Sequence, residues 1–155
     1  ARALEGRMRI AVDCNQAFRL THYAPAPLWD LPRAKRFADA CADVGVAWIE
    51  EPLFMEWFDA MAELTAYSTR VPISGGELHT SGLPELQHMV ERRCYHVFQP
   101  DAVWTGGIAE TLEVAKLCRA AGLGFTPHTW SNGIGFAINL HVLLASGFAN
   151  EHPFE

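Results

Sequence analysis

Along this chain, short apolar runs alternate with longer amphipathic stretches, and that alternation limits the possible fold more than any other feature. Arg9-Ile10-Ala11-Val12-Asp13 reads as a buried strand. Residues 30–44 read as a helix, with Asp30 placed to cap it, Pro32 suited to its first turn and Gly45 to end it. Residues 46–50 form the next strand and 56–67 the next helix, with Trp57, Met61 and Leu64 spaced to share one face. The pattern continues through a strand at 71–75, a helix at 83–92 entered through Thr80-Ser81-Gly82, and a strand at 96–99. A helix at 108–121 ended by Gly122, a strand at 124–127 and an apolar helix at 134–145 follow. Pro153-Phe154-Glu155 begins a sixth strand. Such an alternation predicts an α/β fold, a parallel sheet covered by helices.

The repeat length sharpens this. Asp13, Glu50, Glu77, Asp101, His128 and Glu155 each sit at or just past a strand end, separated by 37, 27, 24, 27 and 27 residues. A (β/α) barrel of about 250 residues has roughly 30 residues per unit, and polar residues at the carboxyl ends of its strands converge on one mouth. A doubly wound sheet shares the spacing but gathers its ligands at one switch point. Six strands do not close an eight-stranded barrel. The expectation is therefore a partial TIM-type barrel, with about two βα units absent on the N-terminal side and residues 1–155 forming one N-terminally truncated domain.

Composition narrows the function classes. The chain is 50% hydrophobic and 19% charged, which supports a packed core and argues against disorder. Its formal net charge is −6, so no basic surface is available for nucleic acid. Arg33, Lys35 and Arg36, the densest basic group, read as a solvated helix face. No signal peptide and no apolar run long enough for a membrane span are found. Cys14, Cys41, Cys94 and Cys118 are too scattered for a Cys-x-x-Cys motif and read as reduced thiols of a cytoplasmic protein. Cys14, beside an acid, is a weak candidate nucleophile.

Three carboxylates in one cleft, Asp13, Glu50 and Glu77, would repel one another unless a cation sat between them or some were protonated. Oxygen-only ligands favour a hard ion, Mg²⁺ first and Mn²⁺ next. Asp101 and His128 would lie on adjacent strand ends, where an aspartate fixes the imidazole tautomer and raises its basicity, as a general base needs. A cation and a base together suit removal of a proton next to a carboxylate, because the resulting enediolate carries two negative charges. That pairing is a known pattern of catalysis.

Val12-Asp13-Cys14-Asn15, Trp48-Ile49-Glu50-Glu51-Pro52, Gly75-Gly76-Glu77, Gln99-Pro100-Asp101 with Gly106-Gly107-Ile108, and Pro127-His128 resemble, in order and spacing, the mandelate racemase subgroup of the enolase superfamily. The resemblance implies the C-terminal barrel domain, from about its third strand to its eighth, without the capping domain and without the Lys-x-Lys motif of the second strand. It implies Asp13, Glu50 and Glu77 as Mg²⁺ ligands, with Glu51 just behind them, and Asp101 with His128 as the base dyad. Glu155, with Glu151 as the alternative, matches the eighth-strand acid that hydrogen-bonds the substrate carboxylate. Asn15, His79 and Trp130 are placed to face the substrate. A homo-oligomer acting on a small carboxylate, with no nucleic-acid or membrane partner, is also implied.

Three functions fit these residues. An acid-sugar (aldonate or aldarate) dehydratase uses His128 to take the α-proton and to return it as the β-hydroxyl leaves. A second class is a hydroxy-acid racemase or epimerase, which needs bases on both faces of the substrate, the absent lysine being the candidate partner of His128, or a cycloisomerase of the same superfamily. The third is a non-catalytic fragment that keeps the scaffold alone.

Overall fold

The computed structural model describes residues 8–18 and 27–149. Strand and helix alternate through them as β1 (Val12–Asp13), α1 (Leu31–Val44), β2 (Ile49–Glu50), α2 (Phe58–Tyr67), β3 (Ile73–Gly75), α3 (Leu83–Glu91), β4 (Val97–Phe98), α4 (Ile108–Ala121), β5 (Gly124–Phe125) and α5 (Gly133–Ser146). The expected sixth strand falls outside the described residues. The chain forms two compact units, Ala1–Ser74 and Gly75–Glu155.

In the first unit, β1 pairs parallel with β2 and β2 with β3, with Val12 opposite Ile49 and Ile49 opposite Ile73. The strands are shorter than the apolar runs, but their hydrogen bonding reaches further. Ala47 N–H donates to Ile10, Cys14 N–H to Glu50 and Gln16 N–H to Glu51. The regular ladder stops where Asn15 (φ 49°) and Glu51 (φ 43°) turn into the left-handed region.

Helix α1 begins where the Asp30 carboxylate accepts the Arg33 N–H at 2.8 Å. It ends at Gly45, whose φ of 73° is the left-handed conformation that favours glycine. It buries Ala34, Ala38 and Cys41, small side chains at helical spacing that allow close packing. Helix α2 buries Met61, Leu64 and Thr65. Trp57 corrects the expectation: it precedes the helix and is exposed, so the buried stripe starts one turn later. Between the helices, Lys35 meets Glu63 at 2.6 Å and Arg70 meets Asp43 at 3.0 Å. Exposed pairs like these contribute about 1 kcal/mol or less each.

In the second unit, β4 pairs parallel with β5, Val97 opposite Gly124 and Phe98 opposite Phe125. Gly75 accepts the Gln99 N–H at 2.8 Å. Helices α3 and α4 bury Leu86, Met89 and Val90, and Val114, Ala115 and Cys118. Tyr95, Phe98, Phe125 and Phe148 are the largest buried side chains here, and Tyr95 meets Phe98 edge-on at 5.3 Å between centroids. No described helix is long and apolar enough to cross a membrane.

Two glycines predict opposite outcomes. A Cβ on Gly75 would stand 2.8 Å from the buried Tyr95 ring, whereas one on Gly133 meets nothing within 4 Å. Gly75→Ala should therefore destabilise the chain by about 1–3 kcal/mol through overpacking. Gly133→Ala should stabilise it by about 0.4–1 kcal/mol by restricting the unfolded chain. Urea midpoints of both variants check the two signs.

Candidate active site

The parallel pairing of β4 and β5 continues past both strands and brings Asp101 and His128 together. Thr126 N–H donates to Phe98 at 3.0 Å and His128 N–H to Pro100 at 3.3 Å, which keeps the two segments in step. His128 Nδ1 then lies 3.2 Å from Asp101 Oδ2. Asp101 is 0% exposed, and a buried carboxylate must be satisfied by donors. Its Oδ1 accepts the Val103 N–H at 2.8 Å and the Asn139 side-chain N–H at 2.7 Å. Burial by itself raises the Asp101 pKa. The hydrogen bonds from His128, Asn139 and Val103 outweigh it and hold the carboxyl below its ordinary value.

The other face of the imidazole is equally defined. His128 Nε2 lies 3.4 Å from Glu77 Oε2, just beyond the Gly75 end of β3. The carboxylate at Nδ1 is the nearer and the more buried of the two, and it favours the tautomer with the proton on Nδ1. Chemically, a buried Asp–His pair can take and return a proton.

The first unit carries the other strand-end acids. Asp13 and Glu50 are register partners on β1 and β2, so their side chains leave the sheet on the same face. Glu50 is only 5% exposed, a position where a carboxylate requires a partner or a metal. Asp13 is exposed and is gripped by Asn15, whose backbone N–H donates to Oδ1 at 2.8 Å and whose side-chain amide donates to Oδ2. Burial, and then the charge of Asp13, push the Cys14 thiol up to about 12, so Cys14 is no nucleophile at neutral pH. All four cysteines are free thiols.

His79 is buried with Nδ1 3.2 Å from Glu85 Oε1, and burial holds it below its ordinary value despite that carboxylate. Trp130 is 82% exposed. Glu151 and Glu155 lie outside the described residues. As donors, Asp13, Glu50 and Glu77 are the oxygen type that Mg²⁺ prefers. Among the described residues, however, no three His, Cys, Asp or Glu side chains are gathered round one point. Fit to a metal thus rests on donor type and on the Asp13–Glu50 register, and Asp13 would have to turn from Asn15 to ligate.

Sequence reasoning missed Asn139 and the Val103 N–H as donors to Asp101. The amide was visible as the polar side chain on the stripe it shares with Gly135, Val142 and Leu143.

Successive parallel strands, each followed by a helix, with chemical side chains at their carboxyl ends, define a portion of a (β/α) barrel. A family model described as enolase C-terminal domain-like matches residues 1–154, and the chain belongs to that family. D-galactarolactone cycloisomerase of Agrobacterium fabrum (strain C58) is 28% identical over 138 residues, which are 89% of this chain and 33% of that protein. L-talarate dehydratase from Polaromonas sp. JS666, solved with Mg and L-glucarate, superposes with a TM-score of 0.75 at 31% identity, over 95% of this chain and 34% of that one. A mandelate racemase/muconate lactonizing enzyme from Bordetella bronchiseptica RB50 gives a TM-score of 0.78 at 32% identity, over 94% and 37%. The chain thus spans about a third of the length of these relatives.

Because its folded pKa is lowered, ionised Asp101 stabilises the fold above the ordinary carboxyl value of 3.8, and that contribution is lost as pH falls through the folded value. Asp101→Asn should cost about 1.5–3 kcal/mol at neutral pH, the worth of hydrogen bonds to a charged group. The difference from the natural chain should narrow below about pH 4. Urea midpoints across that range check the trend.

Proposed function

We propose that this chain carries the proton-abstracting machinery of a sugar-acid dehydratase, with His128 as the base, Asp101 as its orienting anion, and Asp13, Glu50 and Glu77 as ligands for Mg²⁺ or Mn²⁺. One observation carries it: a buried Asp101 answers His128 Nδ1, while His128 Nε2 lies 3.4 Å from a strand-end carboxylate oxygen. That arrangement sets the imidazole between two carboxylates of the second unit, one of them the proposed ligand Glu77.

The chemistry asked of these residues is specific. His128 Nε2 takes the proton from the carbon next to the substrate carboxylate, and Asp101 stabilises the imidazolium that results. The electron pair left on carbon forms the new carbon–carbon double bond as the β-hydroxyl departs. His128 returns its proton to that hydroxyl, which leaves as water, and the enol becomes a 2-keto acid. When bound, the divalent ion neutralises charge that develops on the substrate carboxylate. Glu155, Asn15, His79 and Trp130 are the further residues proposed to meet the substrate. Support for a sugar acid comes from the relatives, among them a talarate dehydratase solved with L-glucarate. The cycloisomerase likeness favours a second reading, in which the same base serves ring opening or closure without loss of water.

Incubation with a panel of aldonic and aldaric acids and Mg²⁺ in deuterated water tests both. Dehydration yields a product lighter by one water, whereas isomerisation, offered the corresponding lactones, yields a product of unchanged mass apart from deuterium taken from solvent. His128→Asn should slow either reaction by about 10²- to 10⁴-fold. A variant that keeps the natural rate removes His128 as the base.

A further inference from the structure

We propose that Asn139 is a positioning residue for the Asp101–His128 pair: it selects the Asp101 oxygen that faces the imidazole, and so the ring nitrogen of His128 that carries the proton. The inference rests on His128 being the base proposed above, and deepens that role.

Asn139 lies on α5 and is fully buried. A buried amide in an apolar stripe is costly unless both of its ends are satisfied. Both are, and by consecutive residues of one loop. Its Nδ2 donates to Asp101 Oδ1 at 2.7 Å, and its Oδ1 accepts the Ala102 N–H at 2.9 Å. A carboxylate has two equivalent oxygens, and rotation about its terminal bond exchanges them. Here two donors, Asn139 and the Val103 N–H, converge on Oδ1 and leave Oδ2 to accept from His128 Nδ1. The Val103 N–H belongs to the same loop as Asp101 and moves with it. Asn139 stands on a separate helix, so it is the fixed external reference for the carboxylate plane. Once that plane is fixed, Nδ1–H is the tautomer that satisfies Oδ2 at 3.2 Å, the nearer of the two carboxylates, since Glu77 Oε2 stands 3.4 Å from Nε2.

A purely structural role, tying α5 to the loop through Ala102, is separable because the two ends of the amide contact different residues. Asn139→Asp keeps the shape and the acceptor for Ala102, but it sets a second buried carboxyl against Asp101, and the proton the two must share competes with His128 Nδ1–H for the Asp101 oxygens. Asn139→Leu removes both ends.

The test uses the whole chain labelled with ¹⁵N-histidine, without substrate, on the alkaline side of histidine titration. One-bond ¹⁵N–¹H correlations then assign the His128 proton. The natural chain should show Nδ1–H. Asn139→Asp should remain folded by near-ultraviolet circular dichroism, yet lose the Nδ1–H signal or share it with Nε2–H, as Asp101→Asn should also do. In an active preparation, kcat should fall about tenfold or more with KM little changed, the scale on which partners that orient a working imidazole act. A folded Asn139→Asp with an unaltered Nδ1–H signal overturns the proposal. So does failure of both Asn139 variants to fold, which would assign the residue to structure alone. If the tautomer shifts while the natural protein is inert toward every sugar acid offered, positioning stands and the assignment of His128 as base falls.

Discussion

A carboxylate with no exposed surface has to be answered, and the way Asp101 is answered organises the second unit. Three donors reach it from three places: the Val103 N–H from its own loop, Asn139 from α5, and the His128 imidazole from beyond β5. Any one of them alone would leave the anion short of the hydrogen bonds that burial demands. Together they lower its pKa in spite of burial, so the Asp101 carboxylate stays charged at neutral pH. The strand register is the prior condition, because the backbone bonds from Thr126 to Phe98 and from His128 to Pro100 set the two side chains side by side.

The first unit treats its acids differently. Asp13 is exposed and satisfied by Asn15, a neighbour in sequence, whereas Glu50 beside it in register is buried. Left-handed turns at Asn15 and Glu51 follow each of these strands. Such turns re-aim the chain within one residue of the acid, a common device where a strand end must present a side chain. Asn tolerates that conformation through its short polar side chain. Glu51 does not have that excuse, and its backbone is held by the bond from its N–H to Ser74.

How much of this was legible in the sequence depends on the kind of signal. Helices α1 and α4 were read closely because their ends are chemical: Asp30 accepts a backbone N–H, and Gly45 and Gly122 take left-handed conformations. Strand limits were read too generously, since an apolar run records burial rather than regular pairing, and the ladder breaks at residues whose dihedrals the sequence does not announce. Trp57 was placed on one helical face with Met61 and Leu64 by spacing alone, but the chain is not yet helical there. The spacing of the strand-end residues was legible, and for Asp101 and His128 the contact follows from it. Asn139 escaped because its partner is 38 residues away, and an amide inside an apolar helix names no partner.

The central claim is that Asp101 and His128 act as one unit in moving a substrate proton. A double-mutant cycle on the α-proton exchange rate tests it most directly, with Asp101→Asn, His128→Asn and the combination compared on one sugar acid. If the two residues are a single device, the combined variant exchanges no more slowly than His128→Asn alone, because Asp101 has nothing left to orient. Losses that multiply, so that the double variant is slower by the product of the single effects, would contradict the account.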